Sequence, residues 1–398
     1  MRFKFLTATL ALVSFFIPSA YGFTPVKMER IPVVFGELLK NRNLGNPAMV
    51  IVDLKSGQVV LNRDGNEARK PASTLKLISA MAILDYLEPD QTFTTAIYKT
   101  DLKNTFQILG DFDPSITPSS RLAQSDKFIW SGTILSKIRA HAKSRLITVR
   151  YYGLTSRTRI NLSNDFRRLG YRITWKPITL DQSNQHLTEN IATLTSPPLT
   201  KILQHTLLWS DNFVADYLAR LAAKEAGYGF GETGIKPAFY DSLARNSIIN
   251  PVLDARDGSG LAHQNRVSAM TLAQVLVKMY SDPKYKVLIE GLPVSGISGT
   301  LQNRFTTTSP NGVGLVRAKT GSLRGVVTLA GYIDSADHEY AFVILADRVG
   351  QYYAAESAAR STIDRMLGKL AAPLNSANES NSTNTSDTSV NNSAESDT

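Results

Sequence analysis

Three short stretches of this chain carry side chains that could attack an amide. Ser73-Thr74-Leu75-Lys76 offers a hydroxyl and an amine three residues apart. Ser210-Asp211-Asn212 adds a second hydroxyl and a carboxamide. Lys319-Thr320-Gly321 adds a second amine, a third hydroxyl and a glycine. Acyl transfer through a covalent intermediate needs these parts: a nucleophile, a base for its proton, a relay to the leaving amine, and a cation for a substrate carboxylate. The three patterns in this order form a known catalytic set. Similar fragments elsewhere fail on context. Ser281-Asp282-Pro283-Lys284 repeats the first pattern, but proline bars a helix interior. Lys55-Ser56-Gly57 precedes the serine and reads as a hairpin turn. Ser376-Ala377-Asn378 lies in a polar tail.

The elements that must position these groups are legible. Pro71 opens a run from Ala72 to Leu87 with Leu75, Leu77, Ile78, Met81, Ile83, Leu84 and Leu87 apolar. That spacing predicts a helix buried on most sides, ended by Pro89. Ser73 then sits in the first turn, where free N–H groups favour developing negative charge, and Lys76 lies on the same face. Taken alone, the pair reads more readily as a serine cap and a snorkelling lysine; the other two motifs reverse that reading. Ser210-Asp211-Asn212 falls between a helical stretch, Leu199 to Trp209, and a second one running to Gly227. Locally it would also pass as an N-cap cluster. Lys319-Thr320-Gly321 precedes two strand-like runs, Val326–Ile333 and Tyr340–Leu345, so adjacent antiparallel strands are predicted. Gly321 would let another group approach the strand backbone; Lys319 alone could be an edge-strand charge.

Composition sets the compartment and the partition of the chain. Arg2 and Lys4 precede an apolar run from Phe5 to Ile17, and Ala20-Tyr21-Gly22 supplies small residues at the cleavage positions, so residues 1–22 read as a secretory signal. The run is too short for a membrane span, so no integral span is expected after signal removal. The expected location is secreted, periplasmic or extracellular. The chain has no cysteine, which excludes disulfides and a lipoprotein anchor. Residues 371–398, rich in Asn, Ser and Thr, read as a disordered polar tail. The net charge is +10; the signal removes two positive charges and the tail holds four of the negative ones, which leaves the folded part near +12. Such a surface attracts anionic polymers. Arg157, Arg159, Arg167, Arg168 and Arg172 are locally dense, but no nucleic-acid motif accompanies them and no nucleic-acid partner is expected. The five histidines show no metal-ligand spacing, so no metal is expected. Gly229-Phe230-Gly231-Glu232-Thr233-Gly234 matches a dinucleotide fingerprint in letters only, because it follows a helix; no cofactor is expected.

A hairpin is predicted at Met49–Asp53 and Val59–Leu61, and a closing helix at Ala354–Leu370. First and last elements should share one sheet with helices packed on it. Strand-like runs at Phe93–Tyr98, Phe106–Leu109, Ile147–Tyr152 and Tyr171–Trp175, with a helical run at Phe128–Ile138, mark residues 89–181 as a smaller inserted domain. Residues 23–88 and 182–370 then form the main domain.

The chain resembles the class C penicillin-binding proteins, the serine-type D-alanyl-D-alanine carboxypeptidase/endopeptidase family. Beyond the three motifs, the resemblance rests on Lys70-Pro71-Ala72-Ser73-Thr74, Thr195-Ser196-Pro197-Pro198-Leu199, Asp257-Gly258-Ser259-Gly260-Leu261, Gly299-Thr300-Leu301 and Val316 to Leu323. It covers about Ile31 to Leu370 and is weakest from Ser119 to Asp181. It implies an α/β (α+β) penicillin-binding, β-lactamase-like transpeptidase fold, an antiparallel sheet flanked by helices with a small insert. It implies peptidoglycan stem peptides as substrates and β-lactams as covalent inhibitors. Ser73 would be the nucleophile, Lys76 its base, Ser210 the proton relay, and Asn212 the holder of the acyl-side amide. Lys319 and Thr320 would bind the terminal carboxylate, Gly321 would admit the substrate, and the backbone N–H groups of Ser73 and Ser322 would meet the oxyanion. No E-x-x-x-N follows the second motif, so penicillin is expected to acylate the protein and not to be turned over efficiently. The alternatives are a non-catalytic peptidoglycan-binding protein, or a β-lactamase or esterase on the same fold.

Overall fold

Period-two alternation decides which side of the main sheet each residue faces. In the computed structural model, which describes residues 24–374, this sheet joins strands from both ends of the chain. They are β1 (Ala48–Asp53), β2 (Val59–Arg63), β10 (Val316–Leu323), β11 (Val326–Ser335) and β12 (His338–Ala346), in the order β10-β11-β12-β1-β2. All neighbours are antiparallel. Val50, Val52, Ala330, Tyr332, Val343 and Leu345 face one core, while Met49, Ile51, Leu329, Ile333, Phe342 and Ile344 face a second. Both faces are covered, so β11 and β12 read as near-continuous apolar runs. The second core is closed by the helices Ile31–Leu38 and Tyr353–Gly368.

The first core is built around the helix Lys76–Tyr86, whose residues from Lys76 to Leu84 are all buried. It packs against the sheet and against the helices Asn212–Glu225, Glu232–Arg245 and Ala269–Ser281. The apolar positions are too widely spread for an amphipathic surface helix, as the sequence implied. One detail differs from the expected helix start at Ala72. Ala72–Leu75 is a tight 3-10 turn, and the α-helix begins at Lys76.

A second sheet is built from β3 (Thr94–Thr100), β4 (Thr105–Gly110), β5 (Leu146–Tyr152), β6 (Arg172–Pro177) and β7 (Leu187–Thr195), ordered β6-β5-β4-β3-β7. It has its own core of Ile97, Phe106, Ile108, Ile134, Val149, Leu162 and Phe166. The β4-β5 and β5-β6 pairs are parallel, bridged by the helices Ser131–His141 and Ser156–Arg168. Strand β7 lies beyond residue 181. A short pair, β8 (Leu253–Asp254) and β9 (Arg266–Val267), brackets the loop from Ala255 to Asn265.

Residues 1–22, read as a signal, and the tail from Asn375 lie outside the described residues. Ala371 and Ala372, assigned to that tail from composition, are buried. Ala372 exchanges backbone hydrogen bonds with the end of β11, donating to Asp334 O at 3.0 Å and accepting from Ala336 at 3.2 Å. No helix among the described residues is long and apolar enough to cross a membrane.

Candidate active site

The turn bearing Ser73 is held from three sides. Arg69, fully buried, reaches Glu67 at 2.6 Å and Asp347 at 3.3 Å, and the Lys70 N–H donates to Asp347 Oδ2 at 3.1 Å. This ties the approach segment to the end of β12. Pro71 O accepts from Thr74 Oγ1 at 2.7 Å and from Thr328 Oγ1 of β11 at 2.8 Å. Ala72 then takes φ +47°, a left-handed backbone that a side chain normally avoids. The over-determined contacts around it sustain that strain, next to the serine it presents.

Two glycines press onto the same turn. A methyl on Gly260 would lie 1.9 Å from Ala72 O, and its φ is +84°. A methyl on Gly321 would lie 2.1 Å from Thr328 Oγ1, 2.9 Å from Pro71 O and 3.0 Å from Ser73 N. The backbone of β10 can therefore run against Ser73 only because residue 321 lacks a Cβ. Val316 and Ala318 point into the second core. Alternation therefore places Lys319 and Gly321 on the opposite face, toward the serine helix.

Lys76 is the hub. Its Nζ lies 3.0 Å from Ser73 Oγ, 2.7 Å from Asn212 Oδ1 and 2.6 Å from Ser259 O, with 1 % of the residue exposed. Burial pushes its pKa down to about 8, against the pull of Asp257, Asp211 and Asp216. Lys319 is 0 % exposed and donates to Thr320 O at 3.1 Å. Burial, and then the positive charge of Lys76, hold it well below the ordinary lysine range. The like charge of Lys76 thus adds to burial in disfavouring a second protonated amine at Lys319.

The S-D-N segment is the joint between two helices. Ser210 ends Leu199–Trp209 in left-handed geometry at φ +61°, and Asp211 caps the next helix by accepting from the Val214 N–H at 3.0 Å. Asn212 thereby opens that helix facing Lys76. Ser73, Lys76 and Asn212 are joined directly. Lys319 joins them through burial and charge, and Gly321 through backbone contact. Among the described residues, no side-chain hydrogen bond links Ser210 to either lysine. Thr320 Oγ1 pairs with Thr300 Oγ1 at 2.7 Å, and Ser322 Oγ accepts from Arg360 Nη2 at 3.0 Å.

The 257–262 loop contributes more than motif reading assigned to it. Asp257 accepts from the N–H groups of Ser259, Gly260 and Ala262 at 2.7, 2.6 and 2.6 Å, and Ser79 Oγ donates to Gly258 O at 2.6 Å. This carboxylate-centred turn aims the Ser259 carbonyl at Lys76. The Asp-Gly-Ser-Gly string was the available signal, since an aspartate set among glycines can accept from backbone N–H groups two or three residues on and so favours such a turn. No trio of His, Asp or Glu side chains among the described residues is placed to hold a metal ion.

A buried amine of lowered pKa beside a serine that follows the strained Ala72 fits nucleophilic acyl transfer. Comparison with known proteins agrees. The model of the D-Ala-D-Ala carboxypeptidase 3 (S13) family matches residues 36–145 and 132–370. Carboxypeptidase DacB of Mycolicibacterium smegmatis is 33% identical over 178 residues, 44% of this chain and 39% of that protein. D-alanyl-D-alanine carboxypeptidase DacB of Haemophilus influenzae is 34% identical over 185 residues, 45% of this chain and 37% of that protein. These alignments thus span less than half of either relative. Among solved structures, penicillin-binding protein 4 of H. influenzae superposes with TM-score 0.63 at 18% identity, covering 85% of this chain and 98% of that one. A penicillin G-acylated predatory endopeptidase from Bdellovibrio bacteriovorus gives TM-score 0.61 at 18% identity, covering 82% and 93%. At those identities the superpositions speak for the fold, a penicillin-binding fold with helices on an antiparallel sheet. With the family model running through nearly all of the folded residues, the chain belongs to the D-Ala-D-Ala carboxypeptidase 3 (S13) family.

Proposed function

We propose that the protein is a serine-type D-alanyl-D-alanine carboxypeptidase acting on peptidoglycan stem peptides, and on cross-links when the leaving amine belongs to a second peptide. The observation that carries this is Lys76 Nζ 3.0 Å from Ser73 Oγ in a buried setting that lowers its pKa. Ser73 Oγ attacks the carbonyl of the penultimate D-alanine and its proton passes to Lys76. The oxyanion meets the N–H groups of Ser73 and Ser322, each such donor being worth about 10²–10³ in rate. The tetrahedral intermediate collapses, the C–N bond breaks, and Ser210 relays the proton to the departing amine. Water then hydrolyses the ester and regenerates Ser73.

Lys319 and Thr320 receive the terminal carboxylate in this reading. The incoming anion restores the Lys319 charge that burial suppresses, and that charge in turn favours neutral Lys76. Substrate binding thus readies the base. The three carboxylates that bear on Lys76 are engaged: Asp257 by backbone N–H groups, Asp216 by Gly258 and Arg220, Asp211 by Val214 and Arg157. With these three so engaged and no E-x-x-x-N after the second motif, long-lived acylation by penicillin is expected over efficient β-lactam hydrolysis.

The same proposal takes residues 1–22 as an export signal and places the mature protein outside the cytoplasmic membrane. Residues 89–195, extended from 181 by β7, form the insert. The test is D-alanine release from a stem pentapeptide by wild type and Ser73→Ala. Release by the wild type alone supports the assignment. Equal release by both, or none by a folded wild type, overturns it.

A further inference from the structure

The helix Ser156–Arg168 belongs with the second sheet, yet its first turn reaches the S-D-N segment. Arg157 Nη1 donates to both carboxylate oxygens of Asp211, at 3.0 and 2.9 Å. The guanidinium carbon stands 5.1 Å from the centre of the Phe213 ring. Arg157 therefore holds the residues on both sides of Asn212, whose Oδ1 contacts Lys76. The placement is not what the helix itself favours, because a cation in a first turn opposes the helix dipole. Thr155 caps that turn by accepting from the Thr158 N–H at 3.2 Å, and Asp211 offsets the unfavourable charge.

We propose that Arg157 is a positioning residue for acyl transfer: it fixes the S-D-N segment from the second sheet's side and balances the Asp211 charge that bears on Lys76. This rests on the serine acyl-enzyme reading above. Its pH consequence follows from the groups involved. Lys76 is faced by Asp211 and Asp216 from the helix Asn212–Glu225, by Asp257 from its loop, and by Lys319 from β10. Asp211 is faced by Arg157 and by His205 of the helix Leu199–Trp209, with Asp126 3.3 Å from His205 Nδ1. Removing Arg157 leaves Asp211 uncompensated, which favours charged Lys76 and raises the pH at which the base becomes neutral. Removing the Asp211 charge does the opposite.

The experiment measures the second-order rate of acylation by a fluorescent penicillin, from neutral to alkaline pH, with thermal melts alongside. Arg157→Ala should slow acylation about tenfold or more, and should move the acid limb of the profile upward by about half a pH unit or more. Arg157→Lys should restore the limb more than the rate, because it keeps the charge and loses the two-oxygen grip. Asp211→Asn keeps a capping residue and should move the limb downward. The double variant Arg157→Ala/Asp211→Asn should return it toward wild type. Wild-type rate and limb in Arg157→Ala would overturn the proposal. So would a loss wholly explained by a smaller folded fraction with the limb unmoved, or identical effects of Arg157→Ala with and without Asp211. Wild-type acylation in the same series reports separately on the parent reading.

Discussion

Gly321→Ala is the sharpest single perturbation of the site. The new methyl would sit 2.1 Å from Thr328 Oγ1, about 1.3 Å short of ordinary van der Waals contact. Thr328 is fully buried, and its hydroxyl is committed to Pro71 O at 2.8 Å. It can yield only by breaking that bond or by letting β10 and β11 shift. The Pro71 carbonyl keeps Thr74 Oγ1, so the polar loss is partial. The main cost is overpacking, about 1–3 kcal/mol of stability. Catalysis should suffer more than stability. The methyl also crowds Ser73 N at 3.0 Å, so relief moves Ser73 and Ser322 apart, and those residues are proposed to share the oxyanion. A misplacement near 1 Å costs about 10²-fold in rate. The assay is acylation by fluorescent penicillin at a temperature where the melt shows the variant folded. The double variant Gly321→Ala/Thr328→Ala removes the worst contact and should recover part of the rate. Wild-type acylation by Gly321→Ala, or a double variant no faster than the single, would refute the close-approach argument.

Further outcomes follow from the same geometry. Lys76→Met should lower acylation by about 10²–10⁴-fold. The wild-type rate should rise with pH through the range near 8, because the base works when neutral and burial lowers its pKa to about that value. A pH-independent wild-type rate would count against Lys76 as the base. Asn212→Ala removes the oxygen 2.7 Å from Lys76 Nζ and should cost about tenfold or more in acylation and about 1–3 kcal/mol of stability, the acylation loss persisting in the folded fraction. Asp85, nearly buried at the far end of the serine helix, accepts from Lys284, Tyr285, Ser242 and Asn246 at 2.5, 2.6, 2.6 and 2.8 Å. Asp85→Ala strands those donors and should lower stability by roughly 3 kcal/mol, read as a lower denaturation midpoint, while the folded fraction acylates normally.

The motifs were legible because each chemical role needs a particular side chain in a particular local element. Proline-bounded apolar spacing located the serine helix, and two apolar runs located β11 and β12. The start of that helix was not legible. Whether residues 72–75 form a 3-10 turn or α-helix depends on contacts with Thr328, Gly260 and Gly321, all distant in sequence. The Ser259 carbonyl was invisible as a site group because every residue has one. Arg157 read as one of a scatter of basic residues, since its partner Asp211 lies 54 residues away. The helix bearing it buries only Thr158, Leu162 and Phe166, too thin an apolar stripe to stand out. Strand β7 was missed for a related reason: as a sheet edge it is mostly exposed and polar, with Thr188, Glu189, Asn190 and Thr193 in its run.

Mapping the penicillin adduct tests the central claim most directly. Intact-protein mass spectrometry after brief exposure to penicillin, followed by peptide mapping, should find one stable acyl group on the peptide containing Ser73, formed more slowly in Lys76→Met and absent in Ser73→Ala. An adduct on another residue, or none on a folded wild-type protein, would contradict the account.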